Sequence, residues 1–301
     1  MNAFKGLQGR AAVLSLLILI TLVVLWHAST APRAPVVGAS APAVTLTAEQ
    51  IEYAKLMGKD PATMAAGGSG EAKKSGGFPT PLQMGQAIVS NLADPFYDNG
   101  PNDKGIGIQL AHSLGRVALG FFIAALVAIP LGFLIGMSPL LYKALDPFIQ
   151  VLKPISPLAW MPLALYTIKD SSISGIFVIF ICSVWPMLIN TAFGVAGVRR
   201  DWLNVAKTLE VNPIRKAFLV ILPAAAPTIL TGMRISMGIA WLVIVAAEML
   251  VGGTGVGYFV WNEWNNLALT NVIFAILLIG VVGMLLDLAF AQAQKAVTYV
   301  D

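Results

Sequence analysis

Long apolar runs separated by short polar stretches dominate the chain from residue 110 onward. Runs at 114–137, 175–195, 227–251 and 272–291 are close to the ~20 residues that an α-helix needs to cross a bilayer. An earlier run, 11–26, follows Lys5 and Arg10. It is slightly longer than a signal-peptide core and reads as a retained first span rather than a cleaved leader. The stretch 140–168 is apolar too, but it holds Pro147, Pro154, Pro157 and Pro162. One regular helix is excluded there, and a broken helix or two short helices are predicted. The pattern predicts an all-α polytopic transmembrane helical bundle of about six spans.

Residues 32–108 differ in kind. Pro32, Pro35, Pro42 and Pro61, with glycine clusters at 67–70 and 75–77, mark a flexible segment. Short helices are predicted at 47–57, capped by Thr47, and at 80–92, capped by Thr80 with Pro81 in the first turn. Leu82, Ile88, Val89 and Leu92 give the second an apolar stripe suited to a membrane surface. The organisation expected is an N-terminal transmembrane helix at 1–31, a flexible periplasmic segment at 32–108, and a core at 109–301 carrying a polar loop at 197–225.

Composition agrees with the membrane class. The chain is 57% hydrophobic and 11% charged, against about 25% charged in soluble domains. Mean hydropathy is +0.78. The net charge of +4 is modest; its placement matters more, because basic residues near spans set orientation. With Lys5 and Arg10 before the first span, six spans put the loop bearing Arg199, Arg200, Lys207, Arg215 and Lys216 in the cytoplasm. The turn at 138–143 and Lys295 fall on the same side. Nothing in this balance calls for nucleic acid.

Candidate chemistry is sparse. His27, His112 and the single Cys182 offer no metal-ligand spacing. No GxxxxGK[ST] phosphate loop is present, so no catalytic residue, metal or cofactor is assigned to the chain. The run KPISPLAWMP from Lys153 breaks a helix at membrane depth, which is tolerated only against protein or a water-filled cavity. Lys153, Ser156 and Trp160 are therefore candidates for a substrate path. Arg234, Glu248 and Asp287 are intramembrane charges. Arg234 and Glu248 either line the path or serve as anchors, Arg234 by pairing with Asp287. For Glu248 a gate or structural role is expected over contact with an anion.

The stretch NVAKTLEVNPIRKAFLVILP, from Asn204 to Pro223, resembles the coupling-loop signature of ABC importer permeases. That signature reads Glu-Ala-Ala, three residues, Gly, nine residues, Ile, one residue, Leu-Pro. Here its positions fall on Asn204, Val205, Ala206, Glu210, Val220 and Leu222-Pro223, with the spacing kept. Glu in place of Gly at 210 argues against a sharp turn there, and Pro213 is expected to redirect the chain instead. Two short helices, 201–207 and 213–220, are predicted. Trp202, Val205, Leu209 and Phe218 are expected to pack down, leaving Lys207, Glu210, Arg215 and Lys216 exposed.

Further stretches, KPISPLAWMPLAL from Lys153, FVIFICSVWPMLINTAFGV from Phe177, IAWLVIVAAEMLVGGTGVGYFVWNEWN from Ile239, DPFYDNG from Asp94 and SLGRVALGF from Ser113, are similar to the nitrate, sulfonate and bicarbonate branch, and look closest to nitrate-transport permeases. The resemblance implies a multi-pass subunit of the bacterial inner membrane; the placement of Lys5, Arg10 and Lys295 puts both termini in the cytoplasm. It implies a small-anion path, nitrate or nitrite, or alternatively bicarbonate, cyanate or a sulfonate. It also implies two permease copies, a periplasmic or lipid-anchored binding protein, and ATPase subunits that use ATP and magnesium. The rival class is an ion-gradient-driven secondary transporter, which often shows internal repeats; no clear repeat is visible in the chain.

Overall fold

The computed structural model describes residues 7–30, 78–100 and 103–297. The helix expected at 47–57 and the rest of the segment 32–77 lie outside the described residues. The chain divides into two units, Met1–Gly85 and Gln86–Asp301.

In the first unit, α1 (Leu7–Thr30, 24 residues) is apolar all round. At ~1.5 Å per residue it is long enough to span a ~30 Å hydrocarbon core. Near its C-terminal end, the Trp26 indole donates to the Pro79 carbonyl at 2.9 Å and meets the Phe78 ring edge-on. The next helix, α2 (Pro81–Ala93), starts with a capping box. The Gln83 amide donates to Thr80 Oγ1 at 3.3 Å, and the Thr80 amide donates to Gln83 Oε1 at 2.9 Å. Its stripe residues Leu82, Val89 and Leu92 are exposed.

The second unit is built on α3 (Ile106–Met137), α4 (Pro139–Leu152), α5 (Pro157–Ile168), α6 (Ser171–Ala196), α7 (Arg200–Thr208), α8 (Pro213–Lys216), α9 (Leu222–Val251), α10 (Val256–Asn265) and α11 (Leu269–Val297). The long helices outrun the apolar runs that announce them, because their ends continue into polar surroundings where hydropathy carries no signal. Helix α10 carries Asn262, Glu263 and Asn265 within ten residues, so its apolar run, Val256–Trp261, is too short to announce a span.

Helices α3 and α6 pack closest. A Cβ on Gly132 or Gly136 would lie 2.7 Å from Thr191 Cβ or 2.7 Å from Val195 Cβ, and one on Gly120 2.8 Å from Ile179 Cβ. Gly132-xxx-Gly136 is the small-residue pattern that lets membrane helices approach at backbone distance. The contacts advance at the same step along both helices, so α3 and α6 run parallel. The chain must return between them. It does so through α4 and α5, which meet at a 90° bend over Lys153–Ser156, the broken span that the prolines demand. Helix α9 runs antiparallel to α6, with Gly232 against Asn190 and Ser236 Oγ donating to the Ser183 carbonyl at 2.8 Å. Helix α11 runs antiparallel to α9, where the Trp241 indole donates to the Ile279 carbonyl at 3.0 Å. Ile179, Met187, Trp241 and Ile244 lie at the centre of the resulting core.

These directions sort the charges. Lys143, Arg199, Arg200, Lys207, Arg215, Lys216 and Lys295 gather at one end of the bundle, where they outnumber Asp146, Asp201 and Glu210. Asp94, Asp98, Asp103, Asp170 and Glu263 gather at the other, where they outnumber Lys104 and Lys169.

Candidate functional site

The polar loop at the basic end differs from expectation in two ways. First, the turn at the family's glycine position is kept. Glu210 takes a left-handed φ of 50°. The Glu210 amide donates to the Lys207 carbonyl at 3.1 Å and the Val211 amide to the Ala206 carbonyl at 3.0 Å, which is the Schellman closure of a helix. Pro213 does not redirect the chain in its place; it opens α8, capped by Asn212 Oδ1 on the Ile214 amide at 3.1 Å. Second, 213–220 is not a separate short helix. It is the foot of the α9 span, joined through a π-helical turn at Ala217–Ile221. Pro223 has no N–H for the preceding turn, and the wider turn, with Leu222 N–H bonded to the Ala217 carbonyl, absorbs the mismatch.

The orientation of α7 also corrects the expected packing. Ala206 is buried and Leu203 half-buried, whereas Trp202, Val205, Leu209 and, further on, Phe218 are exposed. Trp202, Val205 and Leu209 share one outward face at helical spacing, beside exposed Asn204, Lys207 and Glu210. Arg199 lies over the Trp202 ring, 5.7 Å from its centroid. A cluster of large exposed apolar side chains at the basic end of the bundle marks a protein or membrane interaction site. Arg215 is exposed, Lys216 half-buried, Leu222 half-buried and Pro223 exposed.

The proline break brings together Lys153, Ser156 and Trp160, as the sequence suggested. With Cys182 and Trp185 of α6 and Ile239 of α9 they line a cavity of about 270 Å³. Among the described residues that line it, Lys153 carries the only charge.

Arg234 and Glu248 are not among the residues lining this cavity. Arg234 makes a bidentate pair with Asp287, both N–O distances 2.6 Å, joining α9 to α11. Glu248 is 3% exposed and sits at the opposite end in a polar knot. Arg116 Nη1 donates to it at 2.8 Å, Ser113 Oγ approaches both of its oxygens at 2.8–2.9 Å, and the Gly257 amide donates at 3.1 Å. Arg116 also donates to the Thr254 carbonyl at 2.7 Å and to Ser172 Oγ at 3.0 Å. Gln109 Oε1 accepts from the Gly255 amide at 2.7 Å. Gly255 passes so close to the carboxylate that any Cβ there would overlap it. The knot ties α3, α6, α9 and the start of α10. Sequence reading missed Gln109, Ser113 and Arg116 as its members. Their signal was the helical spacing of three polar residues on one face of an otherwise apolar span.

Comparison with known proteins agrees with this architecture. The chain is 46% identical to the nitrate import permease protein NrtB of a Synechocystis species over 73% of its length and 80% of that protein. It is 47% identical to the bicarbonate transport system permease protein CmpB of the same organism over 68% of its length and 74% of that protein. Identity to the taurine transport system permease protein TauC of Escherichia coli is 33% over 73% of this chain and 79% of that one. A structure of the MetNI methionine ABC transporter in an inward-facing conformation shares the fold, with a TM-score of 0.57 at 16% identity, covering 64% of this chain and 95% of the matched chain. Residues 128–299 match the family described as the binding-protein-dependent transport system inner membrane component, and the chain belongs to that family.

Proposed function

We propose that this chain is the membrane-spanning subunit of an ATP-driven importer of a small oxyanion, nitrate or nitrite in the first place. The observation that carries the coupling part is the outward apolar face of α7, Trp202, Val205 and Leu209, at the basic end. The positive-inside bias makes that end cytoplasmic and the C-terminus with it. With α1 as a further span, the N-terminus is cytoplasmic too. ATP and magnesium are then used by separate ATPase subunits, whose closure pushes on α7 and tilts the spans. The Gly132/Gly136 contact between α3 and α6, with Leu203 of α7 packed on Val195, Val198 and Ile221, makes the push act on a rigid pair.

The cavity at the α4–α5 break is the half-path contributed by one copy, and a second copy of the chain supplies the other half. Lys153 offers the positive charge that a passing anion needs, and a charge-assisted hydrogen bond is about twice as strong as a neutral one. A binding protein at the acidic end delivers the anion. Alternating access follows from each ligand's preference for one state of the bundle. A second reading, bicarbonate, is favoured by the 47% identity to the bicarbonate permease. Both ions are planar, carry three oxygens and one negative charge, so the same cavity chemistry serves either.

The test is reconstitution of the permease with its ATPase and binding protein in liposomes. ATPase stimulation and uptake are measured with nitrate, nitrite, cyanate, bicarbonate and a sulfonate. Uptake of nitrate that needs ATP and survives collapse of ion gradients is the expected result. Uptake that continues without ATP and stops with the gradient would establish a secondary transporter and overturn the reading.

A further inference from the structure

Four of the tryptophans are buried or half-buried: Trp26, Trp160, Trp185 and Trp241. Two of them have a partner for the indole N–H, Trp26 at the Pro79 carbonyl and Trp241 at the Ile279 carbonyl. Trp160 and Trp185 donate to no group among the described residues. Both line the cavity of about 270 Å³ at the proline break. An indole N–H taken out of water usually finds an acceptor. Trp185 stands near the middle of α6, at a depth where hydrocarbon offers none.

The open donors are gathered in one place. Ser156 and Trp160 are four residues apart at the start of α5, and Cys182 and Trp185 are three apart on α6, so each pair shares a helix face. The Ser156 hydroxyl makes no capping hydrogen bond. Lys153 forms no ion pair among the described residues. One cavity is thus lined by an ammonium, a hydroxyl and two indoles, and no acidic or amide side chain is among its described lining residues. That inventory suits a small anion, and a cation would meet Lys153. The indole N–H donates and cannot accept, and it is neutral. It can therefore bond an oxyanion without adding a second buried charge, which a path needs if the ion is to leave again.

We infer that the indole N–H groups of Trp160 and Trp185 are anion-binding donors that complete, with Lys153, a small-oxyanion site in this cavity. The inference rests on the cavity being the transport path, and it names the groups that hold the ion once Lys153 has drawn it in.

Cys182 supplies a reporter, being the only cysteine of the chain and part of the same lining. The permease, assembled with its ATPase in nanodiscs, is treated with the neutral reagent methyl methanethiosulfonate. Modification of the Cys182 peptide is timed by mass spectrometry at increasing nitrate, nitrite or bicarbonate, with chloride holding the ionic strength constant. At least one of these oxyanions is expected to slow the modification in the unaltered chain. Trp160→Phe and Trp185→Phe keep an aromatic ring and remove the N–H. Each is expected to raise the half-protecting concentration about tenfold, as for the loss of one hydrogen bond to a charged group. Without anion, Cys182 is expected to react in both variants as in the unaltered chain, which shows the cavity intact. Trp264→Phe, at an exposed position outside the cavity, is expected to leave protection unchanged. Protection that neither cavity variant alters would overturn the inference and leave the path reading standing. Protection by none of the three oxyanions would move the path away from this cavity and overturn both.

Discussion

Arg116 donates to Glu248 at 2.8 Å across the contact of α3 with α9, and Glu248 is 3% exposed. Neither charge touches the cavity at the proline break. Two donors besides Arg116, the Ser113 hydroxyl and the Gly257 amide, converge on the carboxylate, so the pair is a bonded buried knot rather than an isolated ion pair. Removing one member of such a pair leaves the other charge buried without compensation, a loss of about 3–5 kcal/mol. Arg116→Ala and Glu248→Ala are each expected to lower the thermal unfolding midpoint of the purified permease sharply. Replacing both by Met is expected to recover part of the loss, since no naked charge then remains. Equal midpoints for Arg116→Ala and the unaltered chain would show that the knot does not hold the helices together.

The α3–α6 contact makes a sharper steric prediction. Gly132→Val puts side-chain atoms where the Leu188 carbonyl and Thr191 already stand, with a bare Cβ at 2.7 Å from each. Overpacking of this kind destabilises by about 1–3 kcal/mol. Gly115→Ala, on the same helix, meets nothing within 4 Å and is expected to leave the protein as stable as before or slightly more so, Ala being the better helix former. Unfolding in detergent, followed by circular dichroism, separates the two. A Gly132→Val protein as stable as the Gly115→Ala protein would contradict the packing.

At the loop, Glu210 pays for its left-handed φ of 50° with about 1–2 kcal/mol that a glycine would not lose. Glu210→Gly is therefore expected to firm the end of α7 and to keep ATP-coupled uptake. Glu210→Pro cannot adopt that φ and removes the N–H bonded to Lys207. It is expected to leave membrane insertion intact and to uncouple ATP hydrolysis from uptake. Full coupling in the Glu210→Pro protein would separate this turn from energy transfer.

Much of the bundle was legible in the sequence because a bilayer leaves a one-dimensional trace. Apolar length gives the spans, and the prolines between 147 and 162 give the break that the 90° bend now shows. The Arg234–Asp287 pair was legible for a related reason: two charges in adjoining spans at the same height leave few other partners. What the sequence did not carry is rotation about each helix axis. The outward turn of Trp202, Val205 and Leu209 follows from Leu203 and Ala206 being claimed by the bundle, and apolar composition is the same whichever face is inside. Arg116 was hidden for the opposite reason. A polar residue inside a long span looks like noise until its partner, more than a hundred residues away, is known to face it.

Lys153 gives a kinetic prediction that depends on the proposed path. Losing one charge-assisted hydrogen bond weakens binding by about 1.5–3 kcal/mol, or tenfold or more. Lys153→Ala is expected to raise the KM for anion uptake by about that factor while basal ATPase activity stays constant. Lys153→Arg is expected to retain most uptake. Unchanged uptake kinetics across anion concentrations in Lys153→Ala would remove this residue from the path.

The pair of Arg234 and Asp287 can be tested by inversion. Both groups are more than a third exposed in the single chain, at 38% and 50%, so each faces lipid or a neighbouring subunit as well as its partner. A lone charge there is disfavoured in a membrane, and mutual neutralisation is what lets the two spans keep both. Asp287→Ala is expected to lower the yield of inserted permease, because Arg234 is left without a counter-ion. Arg234→Asp combined with Asp287→Arg restores a pair between the same two helix positions. That double variant is expected to insert and fold close to the unaltered level, measured as monodisperse protein recovered from membranes. Failure of the inverted pair alongside normal yield for Asp287→Ala would mean that Arg234 is balanced by something other than Asp287.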